Sequence, residues 1–318
     1  MSRIGLVLGA GGSVGHAYHA GVLAAIAEAT GWNPNSAEVI VGTSAGSIIA
    51  ALLRAGLSAA DLANTSLRRP LSARGAALMA RTGSRTRLAT PGPQHADIGR
   101  GPASASLLLR PWGVRLGTLA AALLPSGTVS SEAVAAGVRA IYGTAWADRP
   151  TWICAVRLDD GRLVAFGRKD APPAAMAEAV AASCAIPAYF QPVVIDGRRY
   201  VDGGSHSVTN ADLLAGAGLD LVVVSCPMGA TRDAVAMGID LPLRAAVRLR
   251  LSREVDQLRR ARTPVLTLQP TREVRNAMGN NPMDPRRGSA VTSTAYESTL
   301  RRLEDDNVQE RIAALVRQ

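Results

Sequence analysis

Two short glycine-flanked motifs hold the residues best able to do chemistry. Gly42-Thr43-Ser44-Ala45-Gly46 closes an apolar run, and far downstream the chain reads Asp202-Gly203-Gly204. A G-x-S-x-G pentapeptide between a strand and a helix puts its serine on a sharp turn, where small neighbours let the turn close and Oγ projects at the mouth of a sheet. The flanking residues supply that context, with Glu38 to Val41 reading as the strand and Ser47 to Leu53 as the helix. Asp202 follows a strand of its own. A carboxylate held there can take the Ser44 proton directly, as a nucleophile–base pair without an intermediary. Taken alone, Asp-Gly-Gly reads better as a plain turn, and it is the combination of motifs in this order that favours the base.

A third motif stands at the start of the chain. Gly9-Ala10-Gly11-Gly12-Ser13-Val14-Gly15 follows an apolar strand, Ile4 to Leu8, and opens a helix toward Ile26. Glycines here leave backbone N–H groups pointing into open space at a positive helix terminus, which suits an anion. A dinucleotide site would need an acidic residue about 20 residues on, at the end of the second strand. The chain has Gly42-Thr43-Ser44 there instead. Beside a nucleophile turn, the same loop suits acyl transfer, in which the tetrahedral oxyanion must find donors near the serine.

The histidines do not complete a triad. In an α/β-hydrolase the serine follows several strands, and the acid and then the histidine come after it; Ser44 follows only two strands. His95 lies in a Pro/Gly-rich stretch. His206, four residues past Asp202, is the one serious triad candidate and reads as a surface or loop-stabilising residue. His16 and His19 sit at the N-terminal end of the first helix and read as helix surface, His16 being near enough to the glycine loop to touch the site.

The elements that position these motifs alternate. Strand, glycine turn, helix, strand, nucleophile turn and helix fill the first 60 residues, an order that argues for a parallel α/β sheet with helices on its faces. From Arg68 to Arg115 the pattern breaks: nine arginines face one acid, Asp97, and Pro and Gly recur, so this stretch reads as a largely irregular excursion. Helical periodicity returns at Gly117 to Leu124 and at Ser131 to Tyr142, with Ser130 as N-cap and Glu132 in the first turn. Strands follow at Thr151 to Leu158 and Leu163 to Phe166, then a helix from Pro173 to Cys184. Val193 to Ile195, Asp196-Gly197 and Arg199 to Val201 form a hairpin whose Asp-Gly pair supplies the positive φ angles of a two-residue turn. That hairpin delivers Asp202. Leu221 to Cys226, a long helix around Leu243 to Arg260, a strand at Val265 to Leu268 and an amphipathic helix from Thr292 to Val316 complete the chain. The economical organisation is one domain over residues 1–318, with a cap inserted at about 70–127 and a helical C-terminal segment at about 289–318.

Composition narrows the class. Of 318 residues 47% are hydrophobic, 19% charged and 3% aromatic, so the chain is globular and its core is built from Ala, Val, Leu and Ile. No apolar stretch approaches the roughly 20 residues a spanning helix needs. Cys154, Cys184 and Cys226 are odd in number and set in apolar runs, which reads as buried free thiols with no zinc site or disulfide framework. The N-terminus enters a strand at once, so no signal peptide is expected and the location reads as cytoplasmic. The net charge of +10 is carried by arginine, Lys169 being the single lysine. Such a surface attracts anionic headgroups or nucleic acid; scarce aromatics and the lack of a nucleic-acid motif favour the lipid.

Together the motifs resemble the patatin-like phospholipase family. The glycine loop Gly9 to Gly15, Ala20-Gly21-Val22-Leu23, the Gly42 to Gly46 pentapeptide and Ser183 to Pro187 fit its pattern, as does Asp196 to Gly204 running into Thr209-Asn210-Ala211. The likeness covers roughly residues 4 to 69 and 150 to 225. It implies a three-layer α/β/α fold with a mostly parallel central sheet, a Ser–Asp dyad and hydrolysis of lipid acyl esters. By it Ser44 is the nucleophile and Asp202 the proton acceptor. The amides of Gly11, Gly12 and Ser13 form the oxyanion hole, and no metal or organic cofactor is involved. The family loop usually reads G-G-G-x-[RK]-G; here Ala10 stands for the first glycine and Val14 for the basic residue. The cation is therefore absent or supplied by another arginine. The expected activity is that of a phospholipase A or lysophospholipase. A serine esterase or acyltransferase on a soluble thioester, or a silent lipid-binding protein of the same fold, are the other readings. In the 70–127 segment, Leu107-Leu108-Leu109 and Trp112 among the arginines read either as a peripheral contact with an anionic membrane or as an ordinary cap.

Overall fold

The computed structural model describes residues 2–82, 103–104, 118–119, 123–231, 234, 241–305 and 308. Its centre is an eight-stranded sheet: β1 (Ile4–Leu8), β2 (Val39–Thr43), β3 (Thr151–Arg157), β4 (Leu163–Phe166), β5 (Val193–Ile195), β6 (Arg198–Asp202), β7 (Leu221–Ser225) and β8 (Val265–Leu268). The order runs β5-β6-β3-β2-β1-β7-β8, with β4 also on β3. β3, β2, β1, β7 and β8 are mutually parallel, whereas β4 and the β5–β6 hairpin run antiparallel. The hairpin turns at Asp196 (φ 47°) and Gly197 (φ 67°), as the Asp-Gly pair requires.

Why the parallel strands read as unbroken apolar runs is clear from their two faces. Leu6 and Leu8 of β1 and Val223 of β7 join one core, while Val7, Val222 and Val224 join another on the opposite side. Strands covered on both faces have no room for polar alternation. The first face is covered by α1 (Gly12–Thr30), α2 (Ala45–Arg54) and, following β4, α6 (Met176–Ser183). The second is covered by α7 (Leu241–Arg260) through Val247, Leu251, Val255 and Leu258. Helices on both faces of a mostly parallel sheet make a three-layer α/β/α arrangement.

α1 is apolar nearly all round and is buried from Val14 to Ile26 apart from His16. Its Gly21 is required by α9 (Gly288–Leu303), because a Cβ there would lie 2.4 Å from the Thr292 carbonyl oxygen. Thr292 Oγ1 also donates to the Ala17 carbonyl at 3.0 Å.

The stretch after Arg68 differs from expectation. Residues 73–81 form a regular helix, α4 (Ala73–Arg81), after α3 (Ala59–Leu67). Ser72 Oγ caps α4 by accepting from the Gly75 amide at 3.0 Å. Buried Asp61 of α3 accepts from both the Ser72 amide and hydroxyl at 2.7 Å, and Leu78 and Met79 are buried beneath the exposed arginines. The arginines masked a helix whose apolar face is only one turn wide. α5 (Glu132–Tyr142) and α8 (Arg272–Met278) complete the helices; Ser130 Oγ accepts from the Glu132 amide, and Ser131 is the formal N-cap. The expected helix at 292–316 begins earlier, at Gly288. It also ends earlier than expected, at Leu303, with Glu304 as C-cap, so it does not run unbroken to 316; residues 306–307, 309–318 and half of the expected 117–124 helix lie outside the described residues. So do His95, Asp97, Leu107 to Leu109, Trp112, Arg85 and Arg87. The three cysteines are buried and unpaired, and among the described residues no helix is long and apolar enough to cross a membrane.

Candidate active site

Ser44 occupies the single residue between β2 and α2, with φ 53° and ψ −120°, a backbone conformation that L-residues rarely adopt. Its neighbours are glycines for steric reasons. A Cβ at Gly46 would stand 2.0 Å from the Leu8 carbonyl oxygen, and one at Gly42 would stand 2.7 Å from Ser47 Cα. The turn is then tied from three directions. The Ser44 amide donates to Ser183 Oγ at 2.9 Å, the Ser47 amide and hydroxyl donate to the Ser44 carbonyl at 2.8 and 2.6 Å, and Asn210 Nδ2 donates to Thr43 Oγ1 at 3.1 Å. The side chain is 5% exposed.

Asp202 ends β6 and is equally buried. Its carboxylate is close enough to the Ser44 hydroxyl to be influenced by it, and Oδ1 accepts from the Gly204 amide at 2.7 Å. Burial pushes its pKa up to about 6, against the pull of those two donors. Gly203 is needed because a Cβ would reach 2.4 Å from the Cys154 carbonyl oxygen. Ser44 and Asp202, 158 positions apart in sequence, are thus brought into contact. His206 closes the short 3₁₀ turn Gly203–Ser205 and does not line the cavity around Ser44.

That cavity is about 380 Å³ in volume. Gly12, Ser13 and His16 stand with Ser44 at one part of its wall, and Ile48, Leu52, Leu57, Leu62 and Met79 make much of the rest apolar. Desolvation at the cavity wall lowers the pKa of the half-buried His16 to about 4 and favours the neutral ring. Arg68 and Arg69 also line the cavity, so cations reach it from α3 where Val14 brings none. In the glycine loop the Gly9, Ala10 and Val14 amides are engaged by the carbonyls of Ser225, Val208 and Pro282. Gly11 is buried against Pro227, and Gly12 (φ 62°) faces the cavity.

Some of the site was not read from the sequence. His19, expected on a helix surface, is fully buried: its Nδ1 meets Ser225 Oγ and its Nε2 meets the Gly9 carbonyl, both at 2.8 Å. An N–H on Nε2 donates to Gly9, leaving Nδ1 to accept from the Ser225 hydroxyl. Burial lowers its pKa to about 3, so it braces the glycine loop as a neutral ring. The near-continuous apolar character of α1 was the available signal, since such a helix has no wet face. Glu254 of α7, also fully buried, accepts from the hydroxyls of Ser207 (2.6 Å) and Thr209 and from the Ala211 amide at 3.0 Å. Arg250 Nε lies 2.9 Å from Glu254 and Arg250 Nη2 lies 3.0 Å from Asp212, so a helix pins the segment that follows Asp202. No sequence motif marks Glu254. Among the described residues no group of three or more His, Cys, Asp or Glu is gathered as for a metal.

The sequence model of patatin-like phospholipases matches residues 6–215. Among curated proteins no relative matches. Solved structures similar to this chain include VipD from Legionella pneumophila, with a TM-score of 0.46 and 14% identity over 96% of this chain and 67% of VipD. The type III effector protein ExoU is another, with a TM-score of 0.39 and 20% identity over 98% of this chain and 53% of ExoU. The family match runs from β1 through the glycine loop, the Ser44 turn and Asp202: the chain belongs to the patatin-like phospholipase family, and so to the hydrolases that act on ester bonds.

Proposed function

We propose that this protein is a lipid acyl hydrolase of the phospholipase A or lysophospholipase type, working through a Ser44–Asp202 dyad. The observation that carries the reading is the juxtaposition of the Ser44 hydroxyl and the buried Asp202 carboxylate beside an apolar cavity. Ser44 Oγ attacks the ester carbonyl while Asp202 takes its proton. The oxyanion is met by amides of the loop Gly11-Gly12-Ser13. Asp202 returns the proton to the leaving alcohol, giving an acyl-serine. Water, deprotonated by the same carboxylate, then attacks the acyl-serine and releases the fatty acid and Ser44. The apolar wall of the cavity suits the acyl chain, and Arg68 and Arg69 suit a phosphate on the alcohol side.

The reading includes a cytoplasmic enzyme that works at the inner face of a membrane, with the segment at about 70–127 as a cap presenting arginines to anionic headgroups. A fluorophosphonate probe tests the chemistry: it should label wild type and not Ser44→Ala, and phospholipid hydrolysis should vanish with the label. Labelling that persists in Ser44→Ala rejects the assignment. Flotation with vesicles tests the surface, since binding should favour anionic over zwitterionic lipid and weaken with salt.

A further inference from the structure

A second cavity, of about 420 Å³, lies beyond α1 at the end of β8. Both cavities share α1 as a wall: His16 and Ala17 line the one beside Ser44, and Tyr18 lines the other. Its size is within the range of small-molecule sites.

Three of its lining groups lack partners. Arg248 of α7 makes no ion pair or hydrogen bond among the described residues, and it faces Arg302 of α9 across the same space. Arg302 is half-exposed and pairs with Asp305 at 2.8 Å, which places it toward the rim. Tyr18 is 2% exposed, yet its hydroxyl has no hydrogen-bond partner among the described residues. The Gln269 Oε1 is buried and also unpartnered. Native proteins leave few buried polar atoms unpaired, and a phenol is usually satisfied when buried. One such atom, Gln269 Oε1, stands with a Tyr18 hydroxyl that makes no hydrogen bond and an unpaired guanidinium around one cavity, and together they indicate a built site whose ligand completes it.

The chemistry of that ligand follows from the groups. Two guanidiniums call for a phosphate, which they hold by charge-assisted hydrogen bonds. Gln269 Oε1 accepts only, so it needs an O–H or N–H that the dianionic phosphate of a monoester does not provide. The Tyr18 hydroxyl can donate or accept, whereas Thr231 Oγ1 and Ser298 Oγ, which donate to the Pro270 carbonyl and to Thr271 Oγ1, can accept from a ligand hydroxyl. We propose that this cavity binds a phosphate monoester of a polyol, its phosphate between Arg248 and Arg302 and a hydroxyl on Gln269. The proposal does not rest on the role given to Ser44.

Titration calorimetry on the full chain tests it, with glycerol 3-phosphate and inositol 1-phosphate as probes and inorganic phosphate and glycerol as their halves. At least one ester should bind saturably and several-fold more tightly than inorganic phosphate, and glycerol should not bind. Arg248→Gln should weaken binding about tenfold or more, and Tyr18→Phe several-fold. Ser44→Ala should leave it unchanged. If one variant loses its fold, the other carries the test. Vesicles of phosphatidylinositol 4-phosphate in phosphatidylcholine identify the source. Capture that the soluble ester displaces and Arg248→Gln removes assigns a lipid headgroup, and no capture assigns a soluble ester. The proposal is overturned if neither ester binds saturably, or if inorganic phosphate binds as well as both. Binding that the folded variants leave intact also overturns it.

Discussion

Thr43 and Asp202 pair with consecutive residues of β3, Thr43 with Cys154 and Asp202 with Ala155. β4 occupies the other edge of β3 across Ile153 to Val156, so β2 and β6 lie end to end along one edge. One strand leaves the edge at the Ser44 turn and the next arrives there carrying the carboxylate. The ladder sets the spacing of the pair.

Because burial raises the Asp202 pKa to about 6, an enzyme using it as base should lose kcat/KM about tenfold per pH unit below that value. Asp202→Asn should abolish nearly all turnover, and the double variant with Ser44→Ala should be little worse than either single change. Stability moves the opposite way. The folded-state pKa lies above the ordinary value of 3.8, so the folded protein binds the proton more readily than the unfolded chain, and stability declines as pH rises from about 4 through 6. Asp202→Asn should therefore raise Tm at pH 8 and raise it less at pH 4. An equal gain at both would show that the ionised carboxylate is not the destabilising group.

His206→Gln should keep activity within roughly tenfold of wild type, because a general base contributes ~10²–10⁴. A loss of several hundredfold in a folded variant would replace the dyad with a triad.

Two glycine substitutions separate close packing from chain entropy. Gly46→Ala drives a methyl into the Leu8 carbonyl and should cost well over ~1–3 kcal/mol, up to loss of the fold. Gly288→Ala, in open space at the start of α9, should stabilise by about 0.4–1 kcal/mol. Urea denaturation of both variants reads the difference; similar effects would mean the Ser44 turn yields more readily than its geometry implies.

Glu254 and Arg250 lie beyond the family-matched residues, whereas their partners Ser207, Thr209, Ala211 and Asp212 lie within them. Glu254→Ala leaves Arg250 facing a buried void and should cost ~3–5 kcal/mol in chemical denaturation. Glu254→Gln keeps the shape and should cost less, while loosening the Asn210 hold on Thr43 enough to lower kcat. A Glu254→Ala protein as stable as wild type would show that α7 does not hold this segment.

How much of this was legible follows from where each constraint lives. Ser44, Asp202 and the hairpin before it depend on local turn chemistry, which glycine spacing announces. The sheet was readable because strands buried on both faces leave unbroken apolar runs. Glu254 acts through Ser207, Thr209 and Ala211, all more than 40 residues away, and a single side chain carries no trace of such partners, whereas the burial of His19 was signalled only by the apolar run around it. α4 was obscured because its buried face amounts to Leu78 and Met79 among arginines.

The backbone of Ser44 has a last consequence. A non-glycine residue at φ 53° and ψ −120° costs on the order of 1–3 kcal/mol. Glycine would relieve it. Serine at position 44 therefore costs the fold something that glycine would not. By the same reasoning, Ser44→Gly is a better inactive reference than Ser44→Ala for crystallisation with bound lipid, since it removes the hydroxyl and the strain together.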